Sequence, residues 1–171
     1  MKEILKIQDL KLNYGLVSAL KGVDLSVSEG QIVALLGANG AGKTTTLKAV
    51  SGLLKPSSGQ ILFEGQNIAG KSAHQIARAL MSDARLIIMD EPAAGLNDSE
   101  TAELTETIRR IRDEFGVTIL LVEHDMSLVM NVCDTVCAIS FGKMLAIGTC
   151  REIKENKAVQ EAYLGIEEDG E

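Results

Sequence analysis

The octapeptide Gly37-Ala38-Asn39-Gly40-Ala41-Gly42-Lys43-Thr44 has the residue types and spacing of a phosphate-binding loop. Its glycines let backbone amides turn inward around anionic oxygens, Lys43 can reach β- and γ-phosphates, and the Thr44 hydroxyl can ligate magnesium. A second stretch, Arg85-Leu86-Ile87-Ile88-Met89-Asp90-Glu91, is an apolar run ending in two carboxylates. Asp90 is placed to hold magnesium, through water, and Glu91 to polarise a water in line with the γ-phosphate as general base. A third, Val122-Glu123-His124-Asp125, puts His124 just past another apolar run. Strand ends of this kind gather ligand contacts in open α/β sheets, so His124 is expected at the γ-phosphate. His74, in a polar stretch without partners, is given no role.

These residues need elements to hold them. Ile4–Leu12, Ala19–Val27 and Gln31–Gly37 read as strands, the last buried on both faces where it runs into the loop. Helical spacing follows over Lys43–Leu54, stopped by Pro56-Ser57-Ser58-Gly59. Gln60–Glu64 is a strand, Ser72–Ser82 a helix and Arg85–Asp90 a second buried strand. Asp98–Phe115 reads as a long amphipathic helix striped by Leu104, Ile108 and Ile111. Val117–Val122 is a third buried strand and Met126–Val132 a short helix. A strand pair, Thr135–Phe141 and Lys143–Ile147, turned at Gly142, precedes two small helices. The pattern predicts an α/β fold with a mostly parallel sheet flanked by helices and an antiparallel β-subdomain from the N-terminal third.

Composition narrows the function classes. A chain of 171 residues supports one substantial core, and 1–166 is read as a single domain followed by a frayed acidic tail, 167–171. Aromatics are only 3% of residues, so the core must be aliphatic. The net charge of −7 argues against a general nucleic-acid or anionic-lipid surface, while a local nest of amides can still bind a nucleotide. No apolar run approaches a membrane span and the N-terminus lacks a signal-like stretch, so a cytoplasmic location is expected. Cys133, Cys137 and Cys150 form no CxxC pair and are expected as buried, reduced thiols.

Taken together, GANGAGKT, LIIMDEP, the loop Ala94-Gly95-Leu96-Asn97 and VEHD resemble the ATPase subunits of ATP-binding-cassette transporters over nearly the whole chain. The resemblance implies ATP and Mg²⁺ as ligands, with contacts from Gly37, Asn39, Gly40, Ala41, Gly42, Lys43, Thr44 and Thr45. It further implies that Tyr14 stacks on adenine, that Ala94–Asn97 touches an opposite subunit and that His124 is the switch histidine. The sequence is most similar to the paired ATPases of branched-chain amino-acid importers. GANGAGKTT looks like one of the pair, while EPAAGLN, VEHDM and Glu161-Ala162-Tyr163-Leu164-Gly165 look like the other. The implied partners are a second ATPase subunit and membrane permease subunits, which would place the chain at the inner face of the cell membrane.

One departure stands out against that resemblance. Lys43 and Asp90 are 47 residues apart, where the family places roughly twice that or more. No glutamine loop follows the first helix, and no Leu-Ser-Gly-Gly signature precedes the Asp-Glu strand. The junction falls inside His74-Gln75-Ile76-Ala77-Arg78-Ala79-Leu80-Met81, and the missing segment corresponds to the family's helical subdomain, which touches membrane subunits. Three expectations follow. A homodimer lacks a complete site and hydrolyses slowly or not at all; an intact partner could lend its signature; and Leu86-Ile87-Ile88-Met89 becomes an exposed apolar sheet edge.

Overall fold

A computed structural model describes residues 1–80 and 86–164, with side chains placed for 1–76 and 86–162. The long strands β1 (Glu3–Tyr14) and β2 (Val17–Ser28) form a hairpin whose register begins at Tyr14 opposite Val17. With β4 (Ser58–Phe63) and β5 (Gln66–Asn67) they make an antiparallel sheet in the order β2-β1-β4-β5. Ile4, Leu5, Ile7, Leu10 and Leu12 of β1 are buried and belong to one apolar cluster.

The second sheet has the order β6-β7-β3-β8-β9. It joins β3 (Ile32–Leu36), β6 (Leu86–Asp90), β7 (Thr118–Glu123) and β8 (Thr135–Ser140) in parallel, with β9 (Lys143–Gly148) antiparallel at the far side. The continuous apolar runs of β3 and β7 follow from their two-faced burial. Val33, Leu35, Leu120 and Val122 enter the cluster shared with the antiparallel sheet and with Leu47, Ala49 and Val50 of helix α1 (Lys43–Val50). Ile32, Ala34, Leu36, Ile119 and Leu121 face Ile108 of α3 (Asp98–Phe115) and Leu128 and Val129 of α4 (Met126–Val132). Each valine, leucine or isoleucine among them contributes about 1.5–3 kcal/mol relative to leaving it in water.

The structure corrects three readings. Helix α1 ends at Val50 rather than Leu54: the chain turns through a left-handed Gly52, and the amides of Leu53 and Leu54 fold back on the Lys48 carbonyl. Strand β6 is not buried on both faces. Among the described residues it pairs with β7 alone, so Leu86, Ile87, Ile88 and Met89 pack against the two clusters but stay half-buried. The apolar edge expected from the missing segment is therefore present among the described residues. The cysteines are free, yet only Cys137 is buried and Cys133 and Cys150 are half-buried.

Helix α2 (Ala73–Leu80) lies only residues 81–85 before β6, which leaves no length for a helical subdomain. Of the junction peptide, His74–Leu80 lies in α2, and Met81 is outside the described residues, as are Ser82, Arg85, Gly165 and the tail 167–171. The chain closes with α5 (Cys150–Glu155) and α6 (Lys157–Leu164). Burial pushes the Cys137 thiol up to about 12, and desolvation also raises Cys133 and Cys150.

Candidate nucleotide site

Strand β3 delivers the chain to residues 37–42, and α1 starts at Lys43 directly after them. Gly42, the N-cap, has φ 110° and no side-chain cap, so the first-turn amides of α1 are not taken by a capping side chain. That φ is one L side chains rarely adopt, so glycine suits the position, and a Cβ there would also come 2.8 Å from Leu20 Cδ2. Ala38, Asn39, Gly40 and Thr44 are exposed, while Gly37, Ala41 and Lys43 are buried. Lys43 donates to the Gly37 carbonyl at 2.6 Å and to that of Ala38 at 3.4 Å, which folds its ammonium back into the loop.

The second half arrives from β6 and β7. Glu91 follows β6 with φ 46°, a left-handed geometry that a non-glycine residue holds only when its surroundings enforce it. Here its amide donates to the Val122 carbonyl, and its own carbonyl accepts from Ala94. The result sets Glu91 Oε1 3.7 Å from Lys43 Nζ and 3.7 Å from His124 Nδ1. Asp90 is exposed at the strand end, and its pKa is raised above the ordinary 3.8 by desolvation first and the Glu91 carboxylate second. Lysines 43 and 48 pull it the other way, less strongly.

Glu123 holds this half together, and the motif reading gave it no role. It is fully buried and accepts from the amides of Ala93 (2.9 Å), His124 (2.9 Å) and Asp125 (3.1 Å). One carboxylate thereby ties the residues after β6 to the turn that carries His124. Its signal was available: a glutamate inside a run of buried strand residues must have donors around it.

Ala19, Ala38, Asn39, Gly42, Thr45 and Glu91 are among the residues lining a cavity of about 150 Å³ over the loop. Tyr14 is half-exposed at the β1–β2 turn, its hydroxyl 3.5 Å from Thr45 Oγ1, which brings it to the same side. Ala94–Asn97 is exposed, and Asn97 closes it with a capping box to Glu100 at the start of α3. A larger groove of about 540 Å³ runs between α3 and α4, among Thr101, Thr105, Arg109 and Asn131, and touches no residue of the loop. His74 sits in α2, away from the cavity lining.

The exposed loop, the buried lysine and the two strand-end carboxylates fit a nucleoside triphosphate with magnesium. Thr44 and Asp90 are the groups that would hold the ion. Few protein ligands suffice, because magnesium in such sites takes the rest from water and phosphate oxygens.

The sequence model described as ABC transporter matches residues 20–75, the span from β2 through the phosphate loop to α2. Over that span the chain is similar to ATP-binding-cassette transporter proteins. The whole chain is similar to the high-affinity branched-chain amino acid transport ATP-binding protein BraF of Pseudomonas aeruginosa, at 29% identity over 96% of this chain and 98% of BraF. It is likewise similar to the branched-chain amino acid transport ATP-binding protein LivG of Escherichia coli K12, at 27% identity over 95% and 98% of the two chains. The BraF alignment runs over 251 positions, more than this chain has residues, as an internal gap requires. The fold is shared with an ATP-binding cassette crystallised in its ADP conformation, at TM-score 0.85 and 21% identity over 96% of this chain and all of the other. A nucleotide-free cassette matches at TM-score 0.84 and 20% identity over 94% and 98%.

Proposed function

We propose that residues 1–166 act as one cassette that binds Mg-ATP on the loop 37–44 and uses Glu91 and His124 in its hydrolysis, serving import of branched-chain amino acids. The observation that carries this reading is the convergence of Lys43, Glu91 and His124, with Glu91 Oε1 3.7 Å from both Lys43 Nζ and His124 Nδ1. Lys43 leaves the Gly37 and Ala38 carbonyls for the β- and γ-phosphates, and Thr44 and Asp90 would hold magnesium, which would offset phosphate charge. Glu91 orients the attacking water and accepts its proton, His124 donates to the γ-phosphate, and Tyr14 stacks on adenine. The partners are a second ATPase subunit and a permease, at the inner face of the membrane. No helix among the described residues is long and apolar enough to cross a membrane itself.

The short span from α2 to β6 favours a second reading, a module that binds ATP but lends only half of a catalytic site. Phosphate release measured beside nucleotide binding, for the wild type and Glu91→Gln, separates the two. The hydrolytic reading expects release to fall by about 100-fold with binding kept. Binding with release untouched by the substitution selects the module, and absence of ATP binding removes both.

A further inference from the structure

Three backbone segments meet beside the phosphate loop. The turn between β8 and β9 places Gly142, φ 78°, where its amide donates to the Ala41 carbonyl of the loop and its carbonyl accepts from the Lys21 amide of β2, both at 2.8 Å. There is no room for a side chain at this meeting point: a Cβ on Gly142 would lie 2.2 Å from the Ala19 carbonyl oxygen and 3.2 Å from Leu20 Cα. From the other side, a Cβ on Gly42 would come 3.4 Å from the same Ala19 oxygen and 3.6 Å from Gly142 Cα.

The consequence concerns the two sheets. The cavity over the loop is lined by Ala19 from the antiparallel sheet and by loop residues carried on the parallel one. Tyr14, on the same hairpin as Ala19, reaches Thr45 only at 3.5 Å, so that contact alone fixes little. The Gly142 clasp joins the hairpin to the loop by two backbone hydrogen bonds in series.

We propose that Gly142 is a positioning residue for the nucleotide, setting the spacing between the hairpin that bears Ala19 and Tyr14 and the loop that takes the phosphates. This rests on the nucleotide-binding reading above. A ligand spanning both sides depends on the clasp, and one confined to the loop does not. Substituting Gly142 forces the turn off Ala19, opens the nucleoside side and leaves the 37–42 loop on β3 and α1.

The test is calorimetric titration of the full chain with Mg-ATP and with inorganic tripolyphosphate under matched magnesium. Gly142→Ala is expected to lower the preference for ATP over tripolyphosphate by about tenfold, the loss of roughly one good contact. Gly116→Ala is the control: Gly116 has φ 62° but nothing within 4 Å of its Cβ position, so it carries the backbone strain without the contact. It should leave the preference unchanged. A folded Gly142→Ala chain that weakens both ligands equally, or neither, overturns the inference while leaving the nucleotide reading standing. A wild type that binds neither ligand overturns both. If Gly142→Ala does not fold, hydrogen exchange on the wild type decides. ATP should protect the Lys21 and Gly142 amides more than tripolyphosphate does, and equal protection overturns the inference.

Discussion

β3 and β6 are five-residue apolar strands of the same sheet, and each hands the chain to charged residues of the site, yet all of β3 is buried and none of β6 is. The difference is one of place. β3 lies between β7 and β8 with clusters on both faces, whereas β6 has β7 on one side and no strand on the other among the described residues. The phosphate limb thus rests on a strand buried on both faces, and the carboxylate limb on a margin. Glu123 bridges them, because its strand β7 pairs with both and its carboxylate binds the segment after β6.

The packing difference can be broken directly. Leu35→Ala should cost about 2–5 kcal/mol in urea unfolding, as a fully buried leucine does. Met89→Ala, half-buried in β6, should cost clearly less, and equal losses would remove the distinction between the limbs. Glu123→Gln tests the bridge. An amide keeps only part of the acceptor capacity that three backbone N–H groups use, so stability should fall by about 1–3 kcal/mol. Hydrolysis should fall with it as Ala93 and His124 lose their anchor, and an unchanged rate would reduce Glu123 to a packing residue.

The smallest effect belongs to Asp90. Its pKa is raised on folding, so the ionised form is disfavoured in the folded chain, fully above the raised value and not at all below the ordinary 3.8. Asp90→Asn should therefore raise the melting temperature of the ligand-free chain slightly at neutral pH, with the gain vanishing as the pH falls toward 3.8. A gain that grew on acidification would reverse the assigned cause. Because the group is exposed, the shift should be only just measurable in melting scans.

Much of the site was legible because its residues act through local sequence. Glycine spacing prescribes the loop, and the apolar runs before Lys43, Asp90 and His124 prescribe the parallel strands that bring them together. Sheet order is a non-local property, so composition alone read Leu86–Met89 as buried, and its edge position was expected only from the family resemblance and the missing segment. Its composition matches that of β7; only its neighbours differ. Glu123 was passed over because motif reading weighs a carboxylate by its place in a pattern and not by the amides around it. The end of α1 was missed for a similar reason, since Pro56 offered an obvious stop and Gly52 a quieter one. Gly142 read only as a turn residue, and its contact with Ala19 joins positions far apart in the chain.

The half-buried and buried thiols carry a practical consequence. Desolvation raises the pKa of all three, so the thiolate that an alkylating reagent needs is disfavoured while the chain is closed. Cys137 lies in β8, one strand from the phosphate loop, and Cys133 and Cys150 lie beside α4 and α5. Alkylation followed residue by residue would time the opening of each region separately, and slowing at Cys137 on adding ATP would mark the strand that the nucleotide holds shut.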